Sequence, residues 1–332
     1  MNKREIIRHL ISRKTQRLFT EADSVRQNFC GLDIHLRGII EFSNYCSRDC
    51  LYCGLRRSNF RLTRYRISEE KILEIAKQAA YLNCKTLVLQ SGEDGYYSVG
   101  KICRLIAKIK KQTGCALTLS IGEKKRKDYQ AFKMAGADRY LLKFETSSLR
   151  IYRKLKPDSV YRQRFLCLEW LKKIGYQVGS GFMVGLPGQT PGILANNIRL
   201  IKKLDLDMAG IGPFIPHPDT PLKRETPGRM IDTLKVVALV RILTENLHLP
   251  ATTALGVVDS RGWEKALKCG ANVIMPNVTP VRYRKYYQIY PGKEVSLKSP
   301  QQNYLSVKKL VTSLGCQISE GYGHSLKRKA TY

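Results

Sequence analysis

A (β/α)8 barrel, an α/β fold of the TIM type with short helical additions at both ends, is the fold class this chain predicts. Three observations predict it. Eight short β-rich apolar runs recur along the sequence, each followed by a helical pattern. Gly136 and Gly270 stand where a helix should stop, and a strand-like run follows each. The length, 332 residues, suits one large barrel or two ordinary domains, and fewer closed strands with an open edge would also fit the rhythm.

The elements follow in order. Residues 1–38 read as a helical cap, with Ile6, Ile7, Leu10 and Ile11 on one face and Leu18, Ala22 and Val25 repeating the spacing. Such a basic amphipathic start imitates a mitochondrial transit peptide, but Glu5, Glu21, Asp23 and the second helix mark a capping element. The eight runs are residues 39–42, 86–90, 116–121, 139–145, 178–184, 208–215, 251–255 and 272–276. The first intervening helix opens at Ser68, an N-cap before Glu69 and Glu70, and buries Ile72, Ile75, Ala76 and Ala79. Residues 39–295 form the barrel and 296–332 a C-terminal extension. Chemistry belongs at the C-terminal ends of the strands.

Composition narrows the class. The chain is 43% hydrophobic and 26% charged, which supports a sizeable core. No apolar run reaches the ~18–20 residues of a membrane span. No secretory signal is visible, so the expected place is cytoplasmic, and the ten cysteines read as reduced thiols or metal ligands. A secreted, collagenous or membrane protein is excluded. There are 58 Lys+Arg against 27 Asp+Glu, a net charge of +31, which raises a nucleic-acid partner as an alternative. The basic residues are scattered, however, with dense runs only at 108–111, 124–127 and 327–329. No RNA-binding module stands out, and a solvated surface is the plainer reading.

The first run leads into Cys46-Ser-Arg-Asp-Cys50-Leu-Tyr-Cys53. Thiolates are soft ligands suited to iron–sulfur clusters or zinc. Structural zinc wants four ligands, and the loop supplies three; Cys30 and His35 precede the first strand. Three thiolates on a 4Fe–4S cluster leave one iron open to a small molecule. The other seven cysteines read as small buried hydrophobes.

Further polar residues fall at strand ends. Gly92, Glu93 and Asp94 follow the second run, and a backbone carbonyl with a carboxylate can satisfy a cation there. Glu145 ends the fourth run, and Arg164 lies on the next helix. Small residues around Met183 and Gly185 let a ligand approach the backbone. Four prolines stiffen residues 212–222, where His217 reads as a packed loop histidine. Thr252 and Thr253 end the seventh run and can anchor an anion. Tyr283, Tyr286, Tyr287 and Tyr290 follow the eighth.

The CxxxCxxC loop after a first barrel strand, with Tyr52 before the third cysteine, resembles the radical S-adenosylmethionine superfamily. The resemblance implies one 4Fe–4S cluster on Cys46, Cys50 and Cys53, whose open iron is chelated by the methionine part of S-adenosylmethionine. It implies reductive cleavage of that cofactor to a 5′-deoxyadenosyl radical. Tyr52, Gly92, Glu93, Asp94, Glu145, Arg164, Met183, Gly185 and Met208 match its cofactor-binding positions.

Several longer stretches, among them IEFSNYCSRDCLYCGLRR, LVLQSGED, AGADRYLLKFET, GIGPFIPHPDTPL and PATTALG, resemble the FeFe-hydrogenase maturases of the HydE type. That resemblance spans residues 35–295. It implies a cysteine-bound iron carbonyl–cyanide substrate on the way to the diiron subcluster, with Arg139, Lys143, Thr252, Thr253 and Tyr287 at substrate positions. It further implies hydrogenase maturation partner proteins, an electron donor such as ferredoxin or flavodoxin, and anaerobic chemistry. Two departures stand out. Lys143 replaces the usual Arg and loses its bidentate fork. Cys316 stands alone near the C-terminus, so a single cluster is expected. Methylornithine synthase and biotin synthase share the barrel and are the alternative readings; a tRNA-modifying radical enzyme is the third.

Overall fold

The computed structural model describes residues 1–292 and 298–327. The apolar runs become parallel strands because each is buried on both faces, between the barrel interior and a helical layer. They are β1 Asp33–Ser43, β2 Thr86–Ser91, β3 Ala116–Ser120, β4 Arg139–Leu141, β5 Gln177–Val184, β6 Met208–Pro213, β7 Pro250–Ala251 and β8 Val273–Ile274. The hydrogen-bonded order runs β6-β5-β4-β3-β2-β1-β8-β7. A bridge between Met208 and His248, just before β7, brings the last strand against β6 and nearly closes the barrel.

Each helix buries the face its sequence periodicity marks. In Glu69–Tyr81 the Ser68 side chain accepts from Lys71 N–H, and Ile72, Ile75, Ala76 and Ala79 face inward. The N-terminal helices Lys3–Ile11 and Gln16–Cys30 pack outside the barrel. Buried Lys235 fastens the first of them, its Nζ donating to the carbonyls of Leu10 (2.8 Å) and Ser12 (2.7 Å).

Several runs differ from their expected bounds. β1 begins at Asp33, not 39, because Ile34 and Leu36 alternate inward within what reads as a polar stretch. β4 stops at Leu141, and Glu145 makes only an isolated bridge to Phe182. β6 ends at Pro213 and β8 spans Val273–Ile274. β7 is Pro250–Ala251, and the rest of that run is a short helix, Thr253–Val258, with Thr252 as N-cap.

The C-terminal extension belongs to the barrel. A ninth strand, β9 Gln317–Ile318, pairs with the start of β1. The segment after it crosses the base, where the strands begin. Tyr322 O accepts from Thr86 Oγ1 (2.7 Å) and Arg139 Nη2 (2.8 Å), Gly323 O from Arg37 Nη2 (3.1 Å), and His324 O lies 2.8 Å from His248 Nε2. The basic run 327–329 lies largely outside the described residues.

Candidate active site

The three cysteines sit where β1 gives way to the mouth of the barrel. Backbone N–H groups of Arg48 (3.4 Å) and Glu93 (3.3 Å) point at Cys46 Sγ, and Lys156 Nζ lies 3.2 Å from Cys50 Sγ. Burial, then Cys50 and Cys46, push the Cys53 thiol well above its ordinary range, so the three sulfurs share one enclosure. All three are free thiols. Three soft ligands with donors aimed at their sulfurs fit a 4Fe–4S cluster. An apolar patch of Leu51, Tyr52 and Met183 against Ile151, Leu155, Leu186, Phe214 and Leu222 backs the loop.

Close packing holds that loop on β2. A Cβ at Gly92 would lie 2.2 Å from Tyr45 O and 2.7 Å from Cys46 Cβ, so no larger residue fits. Ser47 N–H donates to Glu93 O (3.0 Å). The Glu93 carboxylate accepts from Arg48 Nε at 2.8 Å. Gly122, at the end of β3, leaves room for it: a Cβ there would meet Glu93 Cγ at 2.0 Å.

Four residues that sequence reasoning missed complete the polar wall. Arg48 spans Glu93 and Glu123 (3.1 Å), and Glu123 also binds Arg164 Nε (2.8 Å). Arg164 is buried and additionally donates to Tyr152 Oη (3.3 Å). Burial disfavours its charge, but Glu123 prevails and holds the guanidinium protonated. Lys156 is buried beside Cys50, 3.5 Å from Tyr52 Oη. Glu41, buried in β1, accepts from Asn277 Nδ2 (2.8 Å) and faces Tyr287. One signal was readable: Gly122-Glu123 after the third run repeats Gly92-Glu93 after the second.

The expected cofactor residues divide. Glu145 lies at the mouth with φ +67, an uncommon strain for a non-glycine residue, and Lys143 Nζ is 3.8 Å from its Oε2. Met183 and Gly185 follow it, tied by Gln189, whose Nε2 donates to Met183 O and whose Oε1 accepts from Gly185 N–H. Asp94 is a fastener rather than a ligand: it accepts from Ser43, Arg66 and Tyr96 N–H, and against the effect of burial these bonds keep its carboxyl below the usual range. Met208 is not at the mouth. It opens β6 at the barrel base, where Arg37 Nη1 lies 2.7 Å from its sulfur.

The substrate residues divide too. Arg139 opens β4, and its guanidinium is spent at the base on Thr86, Gln177, Tyr322 and Gly323. Its strand position, not its chemistry, removes it from the mouth. Thr252 Oγ1 donates to Ile211 O (3.2 Å), and Thr253 lies beside Tyr290. Tyr287 is buried against Gln90 and near Cys53 and Cys46. His217 is a buried loop histidine whose Nδ1 accepts from Asp219 N–H.

A nearly closed parallel barrel with three thiols on the loop after its first strand defines a radical S-adenosylmethionine enzyme. The model of the radical SAM superfamily matches residues 40–201. The [FeFe] hydrogenase maturase subunit HydE of Thermotoga maritima is 48% identical over 324 residues, covering 96% of this chain and 93% of that one. The chain therefore belongs to the HydE family within that superfamily. It is more distantly similar to 3-methylornithine synthase of Methanosarcina acetivorans, 27% identical over 78% of this chain and 73% of that one. In solved structures, methylornithine synthase shares the fold at a TM-score of 0.85 and 24% identity, covering 96% of this chain and 94% of that one. Among the described residues no helix is long and apolar enough to cross a membrane.

Proposed function

We propose that this protein acts in the cytoplasm on a cysteine-bound iron carbonyl–cyanide complex, a precursor of the diiron subcluster of an FeFe-hydrogenase. The 48% identity to a HydE maturase, with the cysteine loop intact, is the observation that carries this reading. Cys46, Cys50 and Cys53 hold the cluster. When bound, that cluster supplies the single electron that breaks a carbon–sulfur bond of the S-adenosylmethionine sulfonium.

The chain's own residues position the reactants. The Glu93 carboxylate and nearby backbone receive the methionine ammonium, and Arg164, held charged by Glu123, receives its carboxylate. Glu145 takes a ribose hydroxyl or the ammonium, while Met183 and Gly185 line the adenosine. Thr252, Thr253 and Lys143 bind the substrate's anionic groups, and Tyr287 closes the apolar side. Enclosure keeps water from the reacting atoms. A single cluster serves the reaction, and maturation proteins consume the product.

The test is anaerobic. Reduced, reconstituted protein receives S-adenosylmethionine with either the iron complex or lysine, and mass spectrometry follows adenosyl products. An adenosyl adduct formed with the iron complex alone supports the reading. Conversion of lysine moves the protein to methylornithine chemistry and overturns it.

A further inference from the structure

We propose that the basic face around Phe60, on the continuation of the cysteine loop, is the docking surface for an acidic one-electron carrier protein. The proposal rests on the reading above, in which each cofactor cleavage consumes one electron. That electron comes from outside the chain, and the carrier is oxidised by one electron as the cluster is reduced. The carrier must come close to the cluster loop, because Cys50 is buried and the other two cysteines are largely covered.

Phe60 is 91% exposed, seven residues beyond Cys53. Among the described residues, the two apolar side chains as bare as Phe60, Tyr81 and Met134, sit at helix C-termini, on the opposite, base side of the barrel. Phe60 is held out rather than loose. Arg64 donates to the carbonyls of Asn44 (2.6 Å), Leu55 (3.0 Å), Arg56 (2.7 Å) and Asn59 (3.2 Å) beneath it. Asn59 Nδ2 donates to Gly54 O at 2.8 Å, and Asp49 ties Arg56 to Ser58. A rigid exposed aromatic loses little entropy on docking, which is how interface anchors work.

Charge selects the partner. Exposed Arg57 and Arg61 flank Phe60. Arg61 reaches Asp219 (3.3 Å) on the loop after β6, which carries exposed Lys223 and Arg224. Asp49, the carboxylate under the loop, is already bonded to Arg56 and Ser58. An apolar anchor within a cationic rim fits an acidic protein surface and speeds its encounter. A strand of nucleic acid would want a series of stacking rings, and this loop offers a single one.

The experiment uses the full reconstituted chain and measures 5′-deoxyadenosine formation with two reductants, photoreduced acidic flavodoxin and dithionite. Phe60→Ala and the Arg57→Glu/Arg61→Glu double variant should each lower the flavodoxin-driven rate about tenfold or more, with the dithionite-driven rate unchanged. The double variant should also flatten the salt dependence of the flavodoxin rate. Equal rates for variants and wild type with flavodoxin overturn the proposal, as does a parallel loss with dithionite, which would mean damage to the cluster. Weakened binding of bulk tRNA by Phe60→Ala, with flavodoxin unaffected, makes the face a nucleic-acid surface instead. If dithionite drives no cofactor cleavage in the wild type, the functional reading itself fails and the docking surface falls with it.

Discussion

The Lys156 ammonium lies 3.2 Å from the sulfur of Cys50, in a buried position just past the helix Leu149–Leu155. A cation donating to a cluster thiolate favours the more negative, reduced state. Lys156→Met should therefore lower the cluster's reduction potential by roughly 60 mV, a tenfold change in the reduced fraction at fixed potential. Lys156→Arg should keep most of the potential. Redox titration followed by electron paramagnetic resonance reads both, and an unchanged potential in an intact Lys156→Met cluster would contradict the role.

Glu123 serves two arginines, Arg48 at 3.1 Å and Arg164 at 2.8 Å. Glu123→Gln removes the charge but keeps the shape, leaving the buried Arg164 guanidinium uncompensated. Breaking a buried pair this way costs on the order of 3–5 kcal/mol. Denaturant melts of the metal-free chain should show that loss. The KM for S-adenosylmethionine should rise more than kcat falls, because Arg164 is mispositioned rather than absent.

How far the sequence could be read depends on what kind of signal each residue leaves. The barrel was legible because strands buried on both faces read as apolar runs, and the cysteine loop because three soft ligands in eight residues have few other uses. Arg139 and Met208 were misplaced for one reason: a run locates a strand, but not which end a side chain serves. Both stand first in their strands and therefore at the base. Asp94 looked like a ligand, yet its carboxylate is spent on Arg66 and Ser43, partners far from it in sequence. Glu123 left only the Gly-Glu pair it shares with Glu93, and Lys156 left no motif, since a lone lysine after a helix resembles any surface lysine until the fold buries it.

The single cluster proposed above predicts the iron count. Anaerobic reconstitution should give about four irons per chain for wild type and for Cys316→Ser, because one 4Fe–4S cluster on the three loop thiolates accounts for them. Cys53→Ala should bind little, with loss of the cluster's absorbance. About eight irons in the wild type, or a loss with Cys316→Ser, would require a second site.

The tail across the barrel base predicts how stability varies with acidity. Burial, then Arg37, lower the His35 imidazole from 6.5 to about 4; Asp33 works the other way and Arg139 reinforces the shift. His248 moves in the same direction, with burial again the main cause. Between pH 6.5 and about 4 the unfolded chain therefore binds more protons than the folded one. Stability should be full above pH 6.5 and fall as the solution is acidified through that window, by up to ~1.4 kcal/mol per pH unit for each such histidine. Gly323 packs on the His35 ring, where an added Cβ would come within 2.9 Å, and its carbonyl accepts from Arg37. Truncation after Ser319 removes that cover and the acceptors of Arg37, Arg139 and His248. Urea melts at pH 5 and pH 7 should then show a less stable chain whose stability depends less on pH, because the exposed ring titrates near its ordinary value in both states. A truncated chain with the wild-type slope would mean that the tail does not set the histidine's environment.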